Sequence, residues 1–187
     1  PVVSSAASDV YKRQKEILNE LFFSLDKIKP SNLIIVGDLL HDVFSTLSIK
    51  DQDYKNLSQY TKNTDFIWIK GNHDKNIQIE GFKNFTNYKI EKFLFTHIPI
   101  ETSLFQICGH YHPKVKISHR GKTIFKRWFV HNEKIFILPS FGILTGGLDI
   151  HSKQISDVLG KNNLSIYPVG QDKVCLLYTS PSPRDLP

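Results

Sequence analysis

Ile17, Leu18, Leu21, Phe22, Leu25 and Ile28 recur at helical spacing, so Lys15 to Lys29 is predicted to form one amphipathic helix that Pro30 closes. The pattern then changes. Asn32 to Val36 (NLIIV) is a short, branched apolar run of the kind a strand buried on both faces requires, and it empties into Gly37-Asp38. A polar, helix-compatible stretch from Ile49 to Thr61 leads to a second such run, Asp65 to Ile69 (DFIWI), which empties into Gly71-Asn72-His73-Asp74. This β-loop-α-β order predicts an α/β sheet with polar loops gathered at the carboxyl ends of its strands, where ligands of such sheets bind.

Beyond Gly81 the texture shortens and alternates. Tyr88 to Ile90, Lys92 to Thr96, Leu104 to Cys108, Val115 to His119, Thr123 to Val130 and Lys134 to Leu138 are predicted strands of a second sheet. Arg120-Gly121 and His131-Asn132 stand where hairpin turns are needed. No repeat or linker breaks the run, and 187 residues suit one domain.

No stretch approaches the ~20 apolar residues of a membrane span, and the opening residues carry no secretory signal. The expectation is a soluble, cytoplasmic protein with no membrane partner. Cys108 and Cys175 lie far apart and form no C-x-x-C, which argues against a disulfide framework and a zinc–thiolate site. The formal charge of +6 favours an anionic partner, nucleic acid or a phosphorylated substrate, although a lysine-rich solvated surface has the same composition.

Both ends resemble foreign sequence. Ser4 to Gln14 (SSAASDVYKRQ) reads as the translation of a transposase-type sequencing adapter. Cys175 to Asp185 (CLLYTSPSPRD) reads as a translation that begins with the reverse complement of the DNA encoding DVYKRQ. Residues 1–14 and 175–187 are therefore expected to be adapter-derived and residues 15–174 to be the native domain. Setting the ends aside removes three basic and two acidic residues, and the basic bias survives.

The polar punctuation runs Gly37-Asp38-Leu39-Leu40-His41, Gly71-Asn72-His73-Asp74, Thr96-His97 and Gly109-His110-Tyr111-His112, each following a predicted strand. Taken singly, each is a turn or a satisfied histidine. As a set they supply a carboxylate, a carboxamide oxygen and several imidazoles, the donors that hard-to-borderline divalent ions take, with glycines that permit close backbone approach.

The ordered set GD, GNHD, H and GHxH resembles the calcineurin-like metallophosphoesterase family. The resemblance implies an α/β fold, a two-sheet β-sandwich flanked by helices (αββα), here lacking its first strand, over residues 15–174. It implies two divalent ions, manganese first, with magnesium, iron or zinc as alternatives. Asp38 would bridge both ions, Asn72, His97 and His110 would complete one site, and His112 would belong to the other. The implied reaction is hydrolysis of a phosphoester by in-line attack of a metal-activated hydroxide on phosphorus, with His73 as general acid or electrostatic partner. Asp74 would orient His73 or cap a helix. His41 would support the ligands from behind. The family's first motif, Asp-x-His, does not precede Lys15, so one metal site is expected to be incomplete and metal binding by this chain impaired.

Leu138-Pro139-Ser140-Phe141-Gly142, followed by Thr145-Gly146-Gly147, is similar to the ligase-associated DNA damage response endonuclease branch of that family. That branch implies a phosphodiesterase acting on DNA in repair, with a DNA ligase and a helicase as partners. Gly142 and Thr145-Gly146-Gly147 read equally as a tight turn or as substrate-phosphate contacts. Lys114, Lys116, Arg120, Lys122, Lys126 and Arg127, interleaved with Phe125 and Trp128, form a candidate substrate-binding surface for a phosphate backbone or a solvated hairpin face. A nucleotide or small-molecule phosphodiesterase, and an inactive nucleic-acid-binding or scaffold protein, are the alternative readings.

Overall fold

The computed structural model describes residues 5–39, 51–119, 122–142, 145–160, 163–169 and 177–178. They fall into two units, Pro1–Tyr88 with Phe141–Thr145, and Lys89–Ser140 with Gly146–Pro187. No described helix is long and apolar enough to cross a membrane.

The first unit opens with α1 (Ser5–Ile28), which starts well before the expected Lys15. Ala6 and Ala7 are strong helix formers, and no glycine or proline interrupts the chain up to Ile28. At the other end Lys29 turns left-handed (φ 50°), its N–H reaches Leu25 O at 2.8 Å, and Pro30 stops the helix. The apolar stripe is shorter than its sequence pattern: Leu18, Leu21 and Leu25 are buried, whereas Ile28 is 70% exposed.

β1 (Asn32–Val36), α2 (Asp51–Tyr60), β2 (Asp65–Ile69) and β3 (Phe82–Phe85) complete this unit. The three strands form an all-parallel sheet in the order β1-β2-β3. β3 is not evident from the sequence, because only Phe82 of its four residues is buried and its apolar positions do not alternate. Leu18, Leu21 and Leu25 pack with Leu57, Phe66, Trp68, Ile79 and Phe82 into one core. Gly142 is also tightly placed in this unit, since a Cβ there would stand 2.6 Å from Ile17 Cγ1, and Thr145 N–H closes a turn onto Gly142 O. Close packing in a turn therefore accounts for that glycine.

The second sheet has eight strands: β4 (Asn87–Ile90), β5 (Phe93–Thr96), β6 (Phe105–Cys108), β7 (Lys114–His119), β8 (Lys122–His131), β9 (Ile135–Ile137), β10 (Ser165–Pro168) and β11 (Leu177–Tyr178). Their order is β11-β10-β8-β9-β6-β5-β4, with β7 paired to β8 alone. β7 and β8 pair from Lys114↔Arg127 to His119↔Lys122, as the predicted hairpin requires, and its turn residues Arg120-Gly121 lie outside the described residues. His131 belongs to β8 rather than to the following turn. Asn132 makes that turn, its Oδ1 accepting from the N–H groups of Lys134 and Ile135, both at 2.8 Å.

α3 (Lys153–Leu159) was not foreseen. Seven residues are too few for a clear helical period, yet Ser152 caps it and Ile155 and Leu159 bury one face. That face joins Trp128, Val130, Ile137, Ile150 and Ile166 in a second core.

Phe66 is fully buried, with its ring stacked 4.5 Å from Phe82. Phe66→Ala is expected to cost roughly 3–5 kcal/mol of stability, measured as a lowered denaturant midpoint at unchanged m-value.

Candidate metal and phosphoester site

Register places the polar loops. β1 and β2 are flush at their carboxyl ends, with Val36 opposite Ile69, so Gly37-Asp38 and Gly71-Asn72-His73-Asp74 leave adjacent strands at one edge. Asp38 is left-handed (φ 51°), an uncommon conformation for a residue other than glycine. Its Oδ1 accepts the His73 backbone N–H at 3.0 Å. Gly71 is required there, because a Cβ would stand 2.1 Å from the same Oδ1. Asn72 and His73 are exposed at the tip of the second loop.

Asp74 is completely buried beneath this loop. Its Oδ1 accepts Gly71 N–H at 2.6 Å, and its Oδ2 accepts Leu39 N–H at 3.0 Å and Trp68 Nε1–H at 3.1 Å. Burial pushes the carboxyl above its ordinary pKa, against the pull of the Gly71 and Leu39 N–H groups. Capping is excluded, since turns and not a helix follow Asp74. Each carboxylate oxygen accepts from donors other than the His73 ring, so Asp74, expected to orient His73 or to cap a helix, ties the two loops together. Lys70 and Trp68 extend the arrangement: Lys70 Nζ lies 3.2 Å from the Trp68 ring centroid and also donates to Ile77 O. Burial lowers the Lys70 pKa while the Asp74 charge opposes it. The apolar strand pattern gave no sign of either partner.

The second unit repeats the device. β5 and β6 are parallel with Thr96 opposite Cys108, so His97 and Gly109-His110 also emerge side by side. His97 is 4% exposed, and its Nε2 is 3.1 Å from His110 Nδ1. Two imidazole nitrogens bound to one ion at about 2.0–2.1 Å and roughly right-angled to tetrahedral would stand about 2.8–3.4 Å apart, so this pair fits a shared divalent ion. His110 and His112 are both left-handed (φ 64° and 45°). Three of the six described non-glycine residues at positive φ are thus Asp38, His110 and His112, the placement expected where function holds the backbone in sparse conformations. Gly147 supports this loop at close quarters, since a Cβ there would stand 2.1 Å from His112 O. Cys108 just before it is buried, its thiol pushed up to about 12 by desolvation, and therefore stays neutral.

The basic residues of the hairpin divide between its two faces. Directly paired residues share a face, so Lys114, Lys116, Phe125 and Arg127 lie on one side of the β7–β8 hairpin, and Lys126, paired with Val115, falls on the other by register. Trp128 is 3% exposed and belongs to the core. Arg127 Nη1 donates to Ser140 O at 3.0 Å, which ties the hairpin to the Leu138-Pro139-Ser140 segment. Phe125 is 58% exposed. Arg120 and His41 lie outside the described residues.

The sequence profile of the calcineurin-like phosphoesterases matches residues 6–170. The chain belongs to the calcineurin-like phosphoesterase family. It is a metal-dependent phosphoester hydrolase of α/β fold with two sheets and helices. Among solved structures the phosphoesterase is similar to the Pseudomonas putida nuclease MPE, with a TM-score of 0.69 and 25% identity over 88% of this chain and 78% of that one. A search of curated proteins gave no match.

Gly71→Ala should displace Asp38 and weaken divalent-ion binding by about tenfold or more while the circular dichroism spectrum stays native. Titration calorimetry with Mn²⁺ measures it.

Proposed function

We propose that this phosphoesterase is a phosphodiesterase that cleaves DNA, with Asp38, Asn72, His97, His110 and His112 as its metal ligands. The observation that carries the metal assignment is the 3.1 Å approach of the His97 and His110 nitrogens. Similarity to a nuclease supports the substrate class. Bound divalent ions would supply positive charge at the phosphoryl oxygens and a water of lowered pKa.

The chain's own residues do the rest. His73, exposed and held through its backbone N–H by Asp38, delivers a proton to the leaving oxygen. Lys116 and Phe125, with Lys114 and Arg127 behind them, offer phosphate contacts and a stacking ring on one face. DNA repair beside a ligase and a helicase belongs to the proposal on the resemblance carried by Leu138 to Gly142, manganese as the ion on the GD, GNHD, H and GHxH set, and a cytoplasmic location on the sequence pattern. The reading of residues 1–14 and 175–187 as adapter-derived belongs to it as well.

The test is hydrolysis of a chromogenic phosphodiester and of DNA with Mn²⁺, by this chain and by one extended upstream through Asp-x-His. Asn72→Ala and His73→Ala are expected to lower both activities by about 100-fold or more. Lys116→Glu with Phe125→Ala is expected to weaken DNA cleavage alone and to reduce its salt dependence. Equal effects on both substrates would point to a small-ester enzyme, and metal loading without turnover to a binding protein.

A further inference from the structure

Trp68 is the least expected participant in the first unit. It lies fully buried on β2, in a strand whose pattern alone marks it as core. Its ring is held on two sides, by Lys70 Nζ at 3.2 Å and edge-on by Phe82 at 5.8 Å. Its indole N–H is thereby aimed at Asp74 Oδ2, 3.1 Å away. The other contacts of that carboxylate are informative. Oδ2 also takes the N–H of Leu39, the residue after Asp38, and Oδ1 takes the N–H of Gly71, the residue before Asn72. One carboxylate thus grips the neighbours of two proposed metal ligands, one on each loop. A third strut, Asp38 Oδ1 to His73 N–H, closes the arrangement.

Both loop bonds depend on where the carboxylate plane stands. Backbone N–H groups at the start of loops can shift by rotation of a peptide unit, whereas an indole wedged between a cation and an aromatic edge cannot. We propose that Trp68 is a positioning residue for metal binding: its indole N–H orients the Asp74 carboxylate, which fixes the Asp38 and Asn72 loops relative to each other. This rests on the reading of Asp38 and Asn72 as metal ligands. Residues behind a ligand that act in this way change metal affinity by about 10- to 100-fold when altered.

The experiment compares Mn²⁺ binding by calorimetry for Trp68→Phe, Asp74→Ala, the double variant, Asn72→Ala and a control, Leu57→Ala. Leu57 is fully buried in the same core, and among the described residues no hydrogen bond joins it to either loop. All are measured well below their melting temperatures, with native circular dichroism as the entry condition. Trp68→Phe is expected to weaken Mn²⁺ binding about tenfold, and to add little once Asp74 is Ala, because the two act through one bond. Leu57→Ala is expected to lower the melting temperature at least as far without moving the affinity. If Trp68→Phe lowers the melting temperature alone, if Leu57→Ala shifts the affinity equally, or if the Trp68 and Asp74 effects add, the positioning role is overturned. If Asn72→Ala also leaves Mn²⁺ binding unchanged, the ligand assignment itself fails, which separates the two conclusions. Should Trp68→Phe fail to fold, Lys70→Gln replaces it: loosening the ring from its cation face is expected to weaken Mn²⁺ binding in the same direction, and an unchanged affinity overturns the proposal.

Discussion

Parallel pairing with flush carboxyl ends is the constraint on which the chemistry of this chain depends. Val36 faces Ile69 in the first sheet and Thr96 faces Cys108 in the second, so in each unit two polar loops begin on neighbouring strands. Neighbouring strands stand about 4.8 Å apart, which is within the reach of side chains that share a ligand. A slip of one residue would turn Trp68 and Phe66 to the opposite faces of β2 and carry the Gly71 loop out of line with Asp38. The Trp68 N–H bond to Asp74 and the Phe66–Phe82 stack, each specific to one face of β2, oppose that slip.

The loops themselves are held against their local preferences. Asp38, His110 and His112 occupy left-handed conformations that cost of order 1–2 kcal/mol each for residues with a Cβ. Each is braced. Gly71 lets the two loops of the first unit touch, and Gly147 lets the 147–150 segment pass directly over His112 O, where Leu148 N–H bonds Tyr111 O and Lys114 N–H bonds Leu148 O. Beneath the first unit's loops, a buried carboxylate is kept in place by three N–H donors. Desolvation disfavours its charge, and the Gly71 and Leu39 bonds together with nearby Lys70 offset part of that penalty.

Charge behaves differently from geometry. A net charge of +6 describes the whole surface and has no direction. The hairpin register gives part of it a direction, gathering Lys114, Lys116 and Arg127 beside an exposed Phe125 while removing Trp128 to the core. An Arg127 guanidinium bonded to Ser140 O is a structural tie as much as a source of positive potential.

The sequence by itself determined the fold class, the two β-strands that carry GD and GNHD, and the candidate ligands, because dense apolar runs ending in glycine and polar residues have one physical meaning: a buried strand that stops where its backbone must meet something polar. It did not determine β3 or α3, whose four and seven residues are too short to show a period. Nor did it separate Asp74 from His73, since two adjacent polar letters give no depth. Only the tertiary structure decided that one is buried with every oxygen engaged while the other is exposed. It likewise decided that Trp68, written into an apolar strand, directs its one polar atom at that carboxylate. Periodicity reports which face of an element is apolar, whereas the partner of a buried polar atom is set by residues distant in the chain, and the folded packing alone brings them together.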